Sequence, residues 1–132
     1  MPTTPEKRVI LIVDDRASSR ELLRTVLERA DYCVLEAEDW EQALAQARSG
    51  HPELILLDLQ MPRLDGFGVL AELRADSRFK DLPVLALTAS AMSGDREKIL
   101  AAGFTDYLAK PAGPDTVRET VARLLRSGST HS

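Results

Sequence analysis

Short unbroken runs of Val, Ile and Leu constrain this chain more than any other feature. Val9-Ile10-Leu11-Ile12-Val13, Leu54-Ile55-Leu56-Leu57, Val84-Leu85-Ala86-Leu87 and Tyr107-Leu108-Ala109 lack the polar–apolar alternation of a strand with one wet face. Such runs suit strands covered on both sides, as a parallel sheet requires. The Tyr32-Cys33-Val34-Leu35 stretch adds a fifth candidate.

Segments of helical period separate the runs. Leu22, Leu23, Val26, Leu27 and Ala30 fall on one stripe, with Arg20, Glu21, Arg24 and Glu28 mostly elsewhere. Asp39 and Gln42 stand at the N-cap and capping-box positions of a second helix, which runs through Ala43, Leu44 and Ala47 to Gly50 before His51-Pro52 stops it. A third helix is predicted from Gly66 or Phe67 through Leu70 and Leu73, and a fourth from about Ala91 to Ala102 with Gly103 as its C-cap. Gly113-Pro114 opens a fifth, which turns Val117, Val121, Leu124 and Leu125 inward. Five strand–helix repeats in succession imply a doubly wound α/β fold with right-handed crossovers and helices on both faces. The expected organisation is a flexible start over residues 1–7, one domain over 8–126 and a frayed tail over 127–132.

The 132 residues suffice for one well-packed domain. A net charge of −4 with scattered basic residues argues against a nucleic-acid surface. The start of the chain lacks the apolar core of a signal peptide and no run is long enough to span a membrane, so a cytoplasmic protein is expected. The single cysteine, Cys33, reads as a small buried hydrophobe.

Each of the four apolar runs ends in a residue able to hold a metal ion or a phosphoryl group: Asp14-Asp15, Asp58, Thr88 and Lys110. In a parallel sheet these ends share one edge, where ligands of such sheets bind. Taken singly, Asp15 would pass for a helix cap, Thr88 for a residue of high strand propensity and Lys110 for a solvated cation. Together they place three carboxylates near one another, and unit charges roughly 4 Å apart repel by about 4 kcal/mol at an effective dielectric of 20. A cation would relieve that. Mg²⁺ suits hard oxygen ligands best, whereas Zn²⁺ would want His or Cys, which are not placed here.

Val13-Asp14-Asp15, Leu57-Asp58, Met61-Pro62-Arg63-Leu64-Asp65-Gly66, Leu87-Thr88-Ala89 and Tyr107-Leu108-Ala109-Lys110-Pro111 together resemble the receiver domain of two-component response regulators, across Val9 to Leu125. The resemblance implies the flavodoxin-like strand order 2-1-3-4-5. It also implies that Asp58 accepts a phosphoryl group from a histidine kinase or a histidine phosphotransfer protein. Asp15 and Asp58 would bind Mg²⁺ directly together with the backbone carbonyl of Gln60, and Asp14 chiefly through a bound water. Lys110 and Thr88 would contact phosphoryl oxygens, with a cis peptide between Lys110 and Pro111 aiming the lysine. Thr88 and Tyr107 would form a switch pair acting on the fourth helix, fifth strand and fifth helix, while Gln60 and Ser90 would tune dephosphorylation.

With no effector segment after Leu125, output is expected through protein contact or onward phosphoryl relay, without direct binding of nucleic acid or membrane. Met61-Pro62 and Asp65-Gly66 read as turn residues, Trp40 as a packing or surface residue, and Arg20, Arg24 and Arg63 as a solvated face in preference to a contact for an acidic partner. An Asp-nucleophile, Mg²⁺-dependent phosphatase would want a second Asp where Gln60 stands. A flavodoxin-like cofactor carrier would want Ser, Thr and Gly where Asp14-Asp15-Arg16 stands.

Overall fold

The computed structural model describes residues 8–60, 66–89, 93–110 and 112–129. In chain order these form β1 (Val9–Val13), α1 (Ala17–Arg29), β2 (Cys33–Ala37), α2 (Trp40–Gly50), β3 (Leu54–Asp58), α3 (Gly66–Ala75), β4 (Val84–Thr88), α4 (Ser93–Ala102), β5 (Asp106–Ala109) and α5 (Pro114–Ser129). All neighbouring strands are parallel, in the order β2-β1-β3-β4-β5. This is the expected fold. Among the described residues no helix is long and apolar enough to cross a membrane.

Strand alternation divides the core in two. Leu11, Val13, Ile55, Leu57, Val84 and Ala86 join Ala43 and Ala47 of α2, Leu70 and Leu73 of α3, and Ile99 of α4. Ile10, Ile12, Leu54, Leu56 and Leu85 instead join Val26 and Leu27 of α1 and Val117, Val121, Leu124 and Leu125 of α5. The central strands β3 and β4 are buried along their whole length and β1 from Ile10 onward, while the outer β2 and β5 are mostly half-buried. Edge position also explains Cys33. The expectation of a buried thiol fails, because Cys33 opens an edge strand and is exposed.

Local chemistry sets the helix ends. Asp39 accepts a hydrogen bond from the Gln42 amide at 2.8 Å, and the Gln42 side chain returns to the amide of Glu38, one residue earlier than a standard capping box. Gly103 ends α4 at φ 111°, with the Phe104 amide reaching back to the Ile99 carbonyl. Asp31 does the same for α1 at φ 72°, with Tyr32 bonded back to Leu27. Asp is one of the few residues other than Gly that adopts this left-handed geometry readily.

Arg74 ties three segments together. Its guanidinium donates to the carbonyls of Phe79 at 2.9 Å, Leu82 at 2.6 Å and Gly103 at 3.0 Å, joining the α3–β4 connection to the end of α4. Arg74→Met keeps the aliphatic stem but strands these acceptors, and should lower the unfolding free energy by about 2–3 kcal/mol in urea titrations. A loss under about 0.5 kcal/mol, the usual scatter of a surface substitution, would contradict this role.

Candidate functional site

Strand order reverses at β1, which has β2 on one side and β3 on the other, so a crevice forms beyond the carboxyl ends of β1 and β3. Asp14 follows β1 and Asp58 ends β3. By the two-residue period of strands, Asp14, Asp58 and Lys110 continue the face of Ile10, Leu54 and Leu108, the side covered by α1 and α5. Thr88 instead continues the face of Val84 and Ala86, against which Tyr107 packs.

The acidic cluster is compact. One carboxylate oxygen from each of Asp14, Asp15 and Asp58 lies within 4.8 Å of the others, with Asp14 and Asp58 buried and Asp15 exposed. Asp58 is 2% exposed. Its Oδ1 accepts from the Gln60 amide at 2.9 Å and its Oδ2 pairs with Lys110 Nζ at 2.9 Å. The lysine is placed by its own backbone, since its amide donates to the Thr88 carbonyl at 2.8 Å and extends the β4–β5 ladder by one step.

Asp14 is fully buried. Its Oδ1 accepts from the Arg16 amide at 2.9 Å, whereas its Oδ2 has no hydrogen-bond partner among the described residues. Burial, aided by the nearby charges of Asp58 and Asp15, pushes the Asp14 carboxyl above its ordinary value, although the Arg16 amide and Lys110 oppose the shift. A buried oxygen lacking a donor, within reach of two further carboxylates, is what a hard divalent cation would satisfy. The residues present fit Mg²⁺.

Thr88 is buried at the end of β4. Tyr107 is half-buried against the core cluster, with the Arg96 guanidinium 6.0 Å from its ring centroid. Ser90, Pro111 and hence the geometry of the Lys110-Pro111 bond lie outside the described residues, as do Met61 to Asp65. The solvated face expected of Arg20 and Arg24 needs correcting. Arg20 donates to the Asp14 carbonyl at 2.7 Å, and both arginines pair with Glu36 of β2, at 3.2 Å and 2.8 Å. Helical spacing puts Arg20 beside the apolar stripe of α1, but only the packing of α1 over β1 and β2 brings it to the site. Trp40 is a packing residue, half-buried against the core, with its indole N–H donating to Glu72 at 3.1 Å.

The Asp14 shift fixes the sign of a pH effect. A carboxyl whose folded pKa is raised binds more protons folded than unfolded, so its contribution to stability falls as pH rises from the ordinary 3.8 through the raised value. Asp14→Asn keeps the acceptor for Arg16 and removes the buried charge. In metal-free buffer it should therefore be more stable than the native protein at pH 7, with the advantage shrinking as pH falls through the raised value and gone below pH 3.8. Urea titrations across pH showing a less stable variant at neutrality would contradict the assignment.

A family model described as the response regulator receiver domain matches residues 10–122. A probable transcriptional regulator, ycf27 of Porphyridium aerugineum, is 42% identical over 92% of this chain and 49% of its own length. The chain thus spans about half the length of the first curated relatives it matches. The polar-differentiation response regulator DivK of Brucella ovis is 35% identical over 88% of this chain and 94% of its own length. A solved receiver domain, that of the sensor histidine kinase PA1611 from Pseudomonas aeruginosa PAO1 with a magnesium ion coordinated in its active-site cleft, superposes with a TM-score of 0.82 at 34% identity, covering 92% of this chain and 99% of that one. With the strand order, the acidic cluster and the Asp58–Lys110 pair already in place, the conclusion is direct: the chain belongs to the response regulator receiver domain family, a family of signalling domains.

Proposed function

We propose that residues 8–126 act as a phospho-acceptor switch in which Asp58 takes a phosphoryl group from a phosphohistidine of a histidine kinase or a histidine phosphotransfer protein. One observation carries the reading: a nearly buried Asp58 held 2.9 Å from Lys110 and clustered with Asp14 and Asp15. In the reaction a carboxylate oxygen of Asp58 bonds to phosphorus as the phosphorus–nitrogen bond breaks. The electron pair returns to the imidazole, and the product is an acyl phosphate.

Two anions must meet in this step, so cancelling their repulsion is the main catalytic task. Lys110 does part of it, and its ammonium is positioned to follow the charge onto a phosphoryl oxygen. Asp14, Asp15, Asp58 and the Gln60 carbonyl would hold Mg²⁺, which when bound neutralises charge on the carboxylate and the phosphoryl group. The Gln60 amide, 2.9 Å from Asp58 Oδ1, keeps the carboxylate in a single orientation. Thr88 would then donate its hydroxyl to a third phosphoryl oxygen.

Thr88 and Tyr107 share one face of the sheet, which supports their reading as a switch pair. Movement of Thr88 towards the phosphoryl group makes room for the ring of Tyr107 to turn inward and changes the α4–β5–α5 surface. Gln60 and Ser90 are the candidates for setting the lifetime of the acyl phosphate. A groove of about 210 Å³ beside the site, lined by Leu22, Leu23, Lys110 and Ala112, suits a protein donor, and Leu22 is 64% exposed there. Output runs either through altered protein contacts or through onward relay of the phosphoryl group, in a cytoplasmic setting.

Incubation with acetyl phosphate and Mg²⁺ should add one hydroxylamine-labile phosphoryl group, read by intact mass. Asp58→Asn should remove the adduct, and Lys110→Ala should slow its formation on the order of 10²-fold, as expected for loss of a charge-stabilising donor. An adduct that persists in Asp58→Asn, or none in the native protein, would overturn the reading.

A further inference from the structure

Arg20 closes the first turn of α1, and its side chain is only 15% exposed. Its Nη1 donates to the backbone carbonyl of Asp14 at 2.7 Å. That carbonyl belongs to the peptide group joining Asp14 to Asp15. On the other side of Asp14, its amide donates to the Ala37 carbonyl of β2 at 3.1 Å. Glu36, the residue before Ala37, accepts from Arg20 Nε at 3.2 Å and from Arg24 at 2.8 Å. The end of β1 is thus gripped on both of its peptide groups by β2, once directly and once through Arg20.

The two aspartates depend on this grip to different degrees. Asp14 is fixed by burial and by its own bond to the Arg16 amide. The exposed Asp15 departs from the peptide plane that Arg20 holds. Rotation of that plane would swing the Asp15 carboxylate away from Asp14 and Asp58.

We propose that Arg20, anchored by Glu36, is a positioning residue for divalent-cation binding, a role that rests on the Mg²⁺ reading above. It locks the Asp14–Asp15 peptide so that the carboxylates converge before the cation arrives. Charge and positioning make opposite demands on this residue. If only its charge mattered, removing a cation beside an acidic cluster would tighten Mg²⁺ binding. If it positions the ligands, removal weakens binding, by about tenfold for groups that orient metal ligands.

The test is calorimetric titration of Mg²⁺ into the unphosphorylated protein, with circular dichroism confirming that each variant is folded at the working temperature. Arg20→Met should bind about tenfold more weakly than the native chain. Arg20→Lys, whose ammonium keeps the charge but lacks a fork to bridge Asp14 and Glu36, should fall between them. Leu124→Ala, a core truncation on α5 that lowers stability without touching the site, should keep native affinity while folded. Unchanged or tighter binding in Arg20→Met overturns the proposal, and if that variant does not fold, native affinity in Arg20→Lys does so. Failure of the native protein to bind Mg²⁺ removes the underlying reading and this proposal with it, whereas native binding with unaltered variants removes only the role of Arg20.

Discussion

Repulsion among Asp14, Asp15 and Asp58 is the constraint on which the rest of this structure turns. Burial removes the water that would screen Asp14 and Asp58, and the fold compensates with few groups. Lys110 pairs with Asp58, backbone amides at Arg16 and Gln60 each take one oxygen, and Arg20 holds the intervening backbone. One Asp14 oxygen lacks a hydrogen-bond donor among the described residues. Buried charge kept at this cost is typical of sites tuned for chemistry.

The parallel sheet makes the arrangement possible. Because every strand runs the same way, residues far apart in sequence reach one edge, and the register brings Asp58 beside Leu87 and Thr88 beside Ala109. Strand alternation then separates the parts. Asp14, Asp58 and Lys110 continue one face, and Thr88 shares the other with Tyr107. In the proposed switch the chemistry therefore occurs towards α1 and α5, while Thr88 and Tyr107 relay it on the opposite face, beside α4, to the α4–β5–α5 surface.

Much of this was legible in the sequence. Apolar runs without alternation marked the strands, and the polar residue closing each run marked the edge where the site assembles. Elements whose signals are local, such as the Asp39 cap and the Gly103 terminus, also read correctly. Cys33 did not, because apolar neighbours cannot distinguish an edge strand from a central one. Arg20 was missed for a related reason. Helical period places a side chain on a face of its own helix, but the carbonyl it reaches is fixed by how the helix crosses the sheet. The orphaned Asp14 oxygen is likewise a property of packing, which no spacing of residues encodes.

The central claim is that this acidic cluster is under electrostatic strain that a divalent cation relieves. Unfolding free energy measured against Mg²⁺ concentration at constant ionic strength tests it most directly. Once the site begins to saturate, stability should rise by about 1.4 kcal/mol for each tenfold increase in Mg²⁺. The increase should be lost when Asp14 and Asp58 are both replaced by Asn. Stability that is indifferent to Mg²⁺, or that rises equally in the doubly substituted protein, would contradict the account.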